Sequence, residues 1–253
     1  LEAYDRNGKS ICTWTWPVKY ANEYFKSQRT QSTPAKPAEI RKENEDIILS
    51  ANGISVTFSG KDGALTKVKC NGQVIPLNNG PLPVGIKADF KKGESHMEGK
   101  DALFVVKYTG AIDSIAWRMT ADGLLGMDAR MLNRGNGGGY KGEFFDKNIY
   151  YLGLSFSFPE KEVKGMRWMG RGPYRVWKNR IKGTNYNIWE KEYNNTITGE
   201  SFEKLIYPEF KGYHGNLYWA TLQSDKASFT VYSETDGLYF RVFTPEEPIH
   251  RRD

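Results

Sequence analysis

The sequence predicts an all-β protein built as a sandwich of antiparallel sheets, with few or no helices. Three observations carry that expectation. Short runs alternate apolar and polar residues, which is the period of a half-buried strand; Ile54-Ser-Val-Thr-Phe58 does so strictly. Turn signals of the x-Gly kind separate these runs at Asp62-Gly63, Asn71-Gly72, Asp122-Gly123 and Asp236-Gly237. The composition agrees, since 26 Gly and 14% aromatic residues favour turns and strands, and no long amphipathic helix or internal repeat is visible.

Taken in order, residues 1–20 read as a short strand unit. Asn7-Gly8 is its turn, and Cys12, Trp14 and Trp16 then alternate onto one face. Residues 21–46, rich in Ser, Thr, Gln and Pro and then in charge, read as a linker, in which 38–44 has the character of a helical turn. From Ile47 onward the pattern is β. Two tight hairpins turn at Gly63 and Gly72, strands are expected over 84–90 and 103–108, and a third hairpin turns at Gly123. The segments 150–158 and 163–169 are strand-like. A final meander is expected over 217–223, 227–233 and 238–243.

The totals narrow the function. A chain of 253 residues with 39% hydrophobic residues can bury a core. Its net charge of +6 is spread along the sequence, with no basic tail or stripe, so nucleic acid is not an expected partner. No apolar run approaches a membrane span. Cys12 and Cys70 are the only cysteines and either pair or remain free thiols; with the three His dispersed, no metal site is expected. Gly137, Gly139 and Gly142 match a dinucleotide fingerprint, but the segment 144–158 reads as strand and not as the helix that must hold a pyrophosphate, so no cofactor is expected. Asn194-Asn195-Thr196 is a glycosylation sequon. The chain starts without Met inside a strand-like pattern, as a fragment or excised piece would.

The most informative stretch runs from Trp168 to Trp189. Three of the seven Trp residues lie in it, interleaved with Arg and Asn on a backbone that Gly170, Gly172 and Pro173 keep from being helical. Rings that cover the C–H face of a sugar, with guanidinium and amide groups to bond hydroxyls, suit a polyhydroxylated ligand. The candidate contacts are Arg171, Tyr174, Arg175, Trp177, Asn179, Arg180 and Trp189. A second aromatic and polar loop adds Tyr207, Glu209, Tyr213 and His214. The competing reading is a structural loop whose Trp residues cap a β core and whose Arg residues stack on them in solvent; Trp168, Pro173, Arg180 and Trp219 suit that role too.

These stretches carry a resemblance. Gly170-Arg-Gly172-Pro173 and Arg180 resemble the Gly-x-Gly-Pro-x-Glu-x-Tyr-x-Asp-Arg region of the C-terminal small-chain domain of glycoside hydrolase family 2 β-galactosidases. Arg175, Trp177 and Asn179 stand where that pattern has Glu, Tyr and Asp. Pro208, Glu209 and the run Leu217-Tyr-Trp219-Ala-Thr-Leu222 resemble a second region, with Tyr218 in place of an Arg. Gly53 to Phe58 and Asp62 to Leu65 resemble the start of the domain, and residues 4–18 the last strand of a preceding immunoglobulin-like domain.

The resemblance implies a galactose-mutarotase-like supersandwich over residues 47–253, C-terminally incomplete, after a 21–46 linker. It implies a non-catalytic accessory domain that helps wall an active site whose two glutamates lie in a (β/α)8 barrel of the same parent chain. The expected ligand is a galactoside-like carbohydrate, the expected catalytic and metal residues are none, and a periplasmic or extracellular setting is favoured over the cytoplasm. Retaining hydrolysis needs two carboxylates about 5 Å apart, and the sequence does not pick such a pair from Glu143, Glu190, Glu192 or Glu209. Two alternatives stay open. One is an aldose epimerase of the same fold, with Glu209 and His214 as base and acid and His96 as a third member; the other is a ligand-free interaction domain.

Overall fold

A computed structural model describes residues 1–29, 36–131, 152–176, 181–196 and 209–243. The chain is nearly all β and divides into two compact units, one made of 32–159 and the other of 1–31 together with 160–253. It opens with the hairpin β1 (Glu2–Tyr4) and β2 (Ser10–Thr13), followed by the helix α1 (Ala21–Gln28). Among the described residues, eleven strands then build the 32–159 unit: β3 (Glu39–Glu43), β4 (Asp46–Ala51), β5 (Ile54–Phe58), β6 (Leu65–Cys70), β7 (Gln73–Ile75), β8 (Asn78–Val84), β9 (Ala88–Glu98), β10 (Asp101–Gly110), β11 (Ile112–Met119), β12 (Leu125–Met131) and β13 (Gly153–Ser157).

These strands form two antiparallel sheets. One runs β13-β8-β6-β5-β4-β3, with β7 also on β6; the other runs β12-β11-β10-β9. Alternation decides what faces the core. In β4, Ile47, Leu49 and Ala51 point inward, and in β5 Val56 and Phe58 do. They meet Phe104, Val106, Ile115 and Trp117 of the second sheet, with the Phe58 ring 5.2 Å from Phe104 and 5.1 Å from Trp117. The predicted hairpins are there. At Gly63 (φ 72°) the turn needs the left-handed region, and the Asp62 carboxylate accepts from the Ala64 N–H at 3.0 Å to lock it.

The second unit holds β14 (Val163–Gly172), β15 (Asn185–Glu192), β16 (Gly212–His214), β17 (Trp219–Ser224), β18 (Phe229–Tyr232) and β19 (Phe240–Val242). Four of them form the antiparallel sheet β15-β14-β17-β18, and β16 pairs with β19 as a ribbon. The final strands are therefore not the expected meander: β17 and β18 pair as a hairpin, but β19 crosses to β16.

Two further differences lie between residues 21 and 46. The segment 39–43 is strand, paired with β4, where a helical turn was expected. Residues 21–28 form a helix whose local sequence is weak and whose anchors are tertiary. Ala21 and Phe25 are buried, Phe25 packs on Tyr232, and the Asp236 carboxylate accepts from the Ala21 N–H at 2.9 Å. Cys12 and Cys70 are both free. The glycine-rich 133–148 stretch lies outside the described residues.

Candidate functional site

The candidate ligand contacts that are described lie in the 160–253 part of the chain, where they take two different environments. Trp168 and His214 are wholly buried and meet edge to face, ring centroids 4.6 Å apart. Lys191 reaches into the same core. Its Nζ lies 5.5 Å from the centre of the Trp168 ring and donates to the Glu209 carbonyl at 2.5 Å. Glu209 itself is 2% exposed. Burial pulls the Lys191 ammonium down to about 8, against the opposing pull of the Glu209 carboxylate. His214 falls to about 3, because it is desolvated and faces the Lys191 charge, while its bond to the Phe210 carbonyl works the other way. A carbonyl can only accept, so Nε2 carries the proton at 3.3 Å from the Phe210 oxygen; Nδ1 is a buried acceptor with no partner among the described residues.

The neighbouring Lys211 is also buried, its Nζ 3.1 Å from the Glu160 carboxylate and bonded to Asn195. Asn194 of the sequon is used internally. Its side-chain oxygen accepts from the Phe210 N–H at 3.1 Å and from the Thr196 hydroxyl, so it works as a bracket for the 209–211 backbone.

Two residues of the first candidate set act as braces. Arg171 stacks over Tyr186 at 4.5 Å and donates to the Thr184 carbonyl at 3.3 Å. The half-buried Trp189 donates from Nε1 to the Gly170 carbonyl at 3.1 Å, and its ring lies where a side chain at Gly172 would be; a Cβ there would come within 2.6 Å. Tyr174 is exposed, and the stem of Arg175 packs over Gly212. The Val176 N–H donates to the Tyr213 carbonyl at 2.8 Å, which holds this loop on the β16–β19 ribbon. On that ribbon Tyr213 stands opposite Arg241, whose exposed guanidinium lies 5.2 Å from the Tyr213 ring and 4.4 Å from the Phe243 ring. Trp177, Asn179, Arg180 and Tyr207 lie outside the described residues.

One surface feature was missed in sequence. A depression of about 330 Å³ opens on the outer face of the four-stranded sheet. Trp219, Thr221 and Gln223 of β17 line it, with Thr230 and Tyr232 of β18 and Arg167 of β14. The signal was present as parity, because Trp219 shares its face with Thr221 and Gln223, whereas Ala220 and Leu222 face inward.

The sequence model for the beta-galactosidase small chain matches residues 84–243. The chain belongs to the beta-galactosidase small-chain family. No curated protein matches it. Among the described residues of this small-chain domain, no three His, Cys, Asp or Glu side chains come together as metal ligands, and no helix is long and apolar enough to cross a membrane.

Proposed function

We propose that this small-chain domain is a non-catalytic, carbohydrate-contacting part of a β-galactosidase-like glycoside hydrolase. In that role it helps wall an active site whose chemistry is done by a catalytic barrel of the same parent chain. The observation that carries the reading is the surface of the ribbon, where Arg241 is held between Tyr213 and Phe243. A stacked guanidinium keeps its edge donors free to bond hydroxyls while its neighbours offer ring faces to sugar C–H groups. Arg175 and the exposed Tyr174 adjoin it through the loop that rests on β16.

The epimerase alternative needs a base and an acid that substrate can reach and that titrate near neutrality. Glu209 and His214 are buried, and His214 stays neutral down to about pH 3, which argues for a structural role in this core. His96 is exposed on β9 of the other unit.

Calorimetric titration with galactose and lactose tests the proposal. The folded chain should give a saturable heat, with binding about tenfold weaker in Tyr213→Ala and in Arg241→Ala, the loss of roughly one stacking contact. A folded wild-type chain that gives no heat with either sugar would leave a purely packing role for the domain.

A further inference from the structure

The outer face of the β15-β14-β17-β18 sheet is graded along its strands. At one end Trp219 of β17 stands opposite Tyr232 of β18, and Phe25 of α1 braces Tyr232 at 5.4 Å. In the middle Thr221 faces Thr230, and their hydroxyls bond to each other at 2.8 Å. At the other end Gln223 crosses Gly165, where a Cβ would come within 2.4 Å of the amide oxygen, and donates to the Glu190 carboxylate of β15 at 2.9 Å. Arg167 occupies the central strand opposite Thr221, with its guanidinium 5.9 Å from the Trp219 ring. No ion pair holds it among the described residues.

We infer that this face is a second saccharide site, separate from the ribbon, that takes a short neutral oligosaccharide lying along β17. The four residue steps from Trp219 to Gln223 span roughly 13 Å, so the stripe is longer than a single sugar ring. The 330 Å³ depression is at the small end of ligand sites, as a shallow groove for a few rings would be. Its chemistry runs from ring faces through hydroxyls to an amide and a carboxylate. Donors (Arg167, Gln223) alternate with acceptors (Glu190, the Thr oxygens), which is what a ligand with hydroxyls on both edges requires. Glu190, cross-strand from Arg167, balances its charge, so the face carries no net charge that would select an anionic sugar over a neutral one. The groups stand on four hydrogen-bonded strands, which position them before the ligand arrives. The inference does not need the ribbon to touch sugar.

The experiment is titration of the full chain with a neutral galactan tetrasaccharide, comparing wild type with Trp219→Ala, Arg167→Ala and Tyr213→Ala. Saturable binding that persists in Tyr213→Ala, and becomes about tenfold or more weaker when Trp219→Ala or Arg167→Ala is added to that variant, establishes the sheet-face site whether or not the ribbon also binds. Binding lost in Tyr213→Ala but intact in the other two overturns it and leaves the ribbon reading standing. Silence of a folded wild-type chain toward every sugar overturns both. Tighter binding of an oligogalacturonide than of the neutral tetrasaccharide would overturn the assigned ligand class. If Trp219→Ala loses its circular-dichroism signature, Arg167→Ala and Trp219→Phe decide: the first should weaken binding and the second retain it.

Discussion

Lys191 drives its ammonium into the core and donates to the carbonyl of Glu209 at 2.5 Å, under the face of Trp168. The cost of that burial appears as an ammonium lowered to about 8. The unfolded chain, with an ordinary Lys near 10.4, binds more protons between those two values. Stability therefore rises with pH across roughly 8 to 10.4, and below 8 the full penalty, about 3 kcal/mol, is present and constant. Urea denaturation of wild type and Lys191→Met at pH 7 and pH 10 should show wild type gaining on the variant by up to that amount. Parallel pH dependences would mean that the ammonium is not desolvated in the fold.

His214 titrates in the opposite part of the scale with the same sign. Its folded value of about 3 lies below the unfolded 6.5, so the unfolded state again binds more protons in between. Its contribution is complete above about pH 6.5 and is lost as pH falls toward 3. His214→Leu keeps an apolar group against Trp168 and should flatten the acid side of the stability curve between these values, measured as the wild-type minus variant difference at pH 7 and pH 4. A difference that does not change with pH would place His214 in contact with water.

Phe58 sits at the junction of both sheets in the 32–159 unit, in contact with Phe104 and Trp117. Phe58→Ala should cost about 3–5 kcal/mol, because neither sheet can close onto the cavity without breaking its ladder. Thermal and urea unfolding would measure it. A loss under 1 kcal/mol would mean that the two sheets repack freely.

That core was legible in the sequence because alternation assigns each residue to one face, and burial agrees with the assignment from Ile47 through Phe58. Alternation does not say which face is inside when both carry large aromatic residues. Trp168 and Trp219 are both strand Trp residues, yet Trp168 is buried among Met166 and His214 while Trp219 stands outside with Thr221. Only the polar residues sharing a face with Trp219 distinguish them. The ribbon was hidden for another reason. Asp236-Gly237 has the chemistry of a hairpin turn, but β19 finds its partner in β16, about 28 residues upstream, and turn chemistry is blind to non-local pairing. The buried state of Glu209 and His214 was equally invisible, since their polarity in a loop suggests solvent, whereas the Glu209 carbonyl accepts from the distant Lys191 and His214 bonds to the Phe210 carbonyl.

The helix over Ala21–Gln28 yields the last prediction, and it turns on one carboxylate. Eight residues are too few to hold a helix in water by themselves. Inside the chain Glu23 accepts from the Tyr20 N–H at 3.2 Å, but the Ala21 N–H is met by Asp236, 215 residues away, at 2.9 Å. Asp236 thus supplies both a hydrogen-bond acceptor and a negative charge at the positive end of the helix. Asp236→Ala should cost about 1 kcal/mol, and amide hydrogen exchange in residues 21–28 should quicken before the sheet is affected. Asp236→Asn keeps an acceptor without the charge, so it should retain most of the protection and lose only the salt-sensitive part. If both variants exchange like wild type, the helix is held by Phe25 on Tyr232 alone, and Phe25→Ala should then release it.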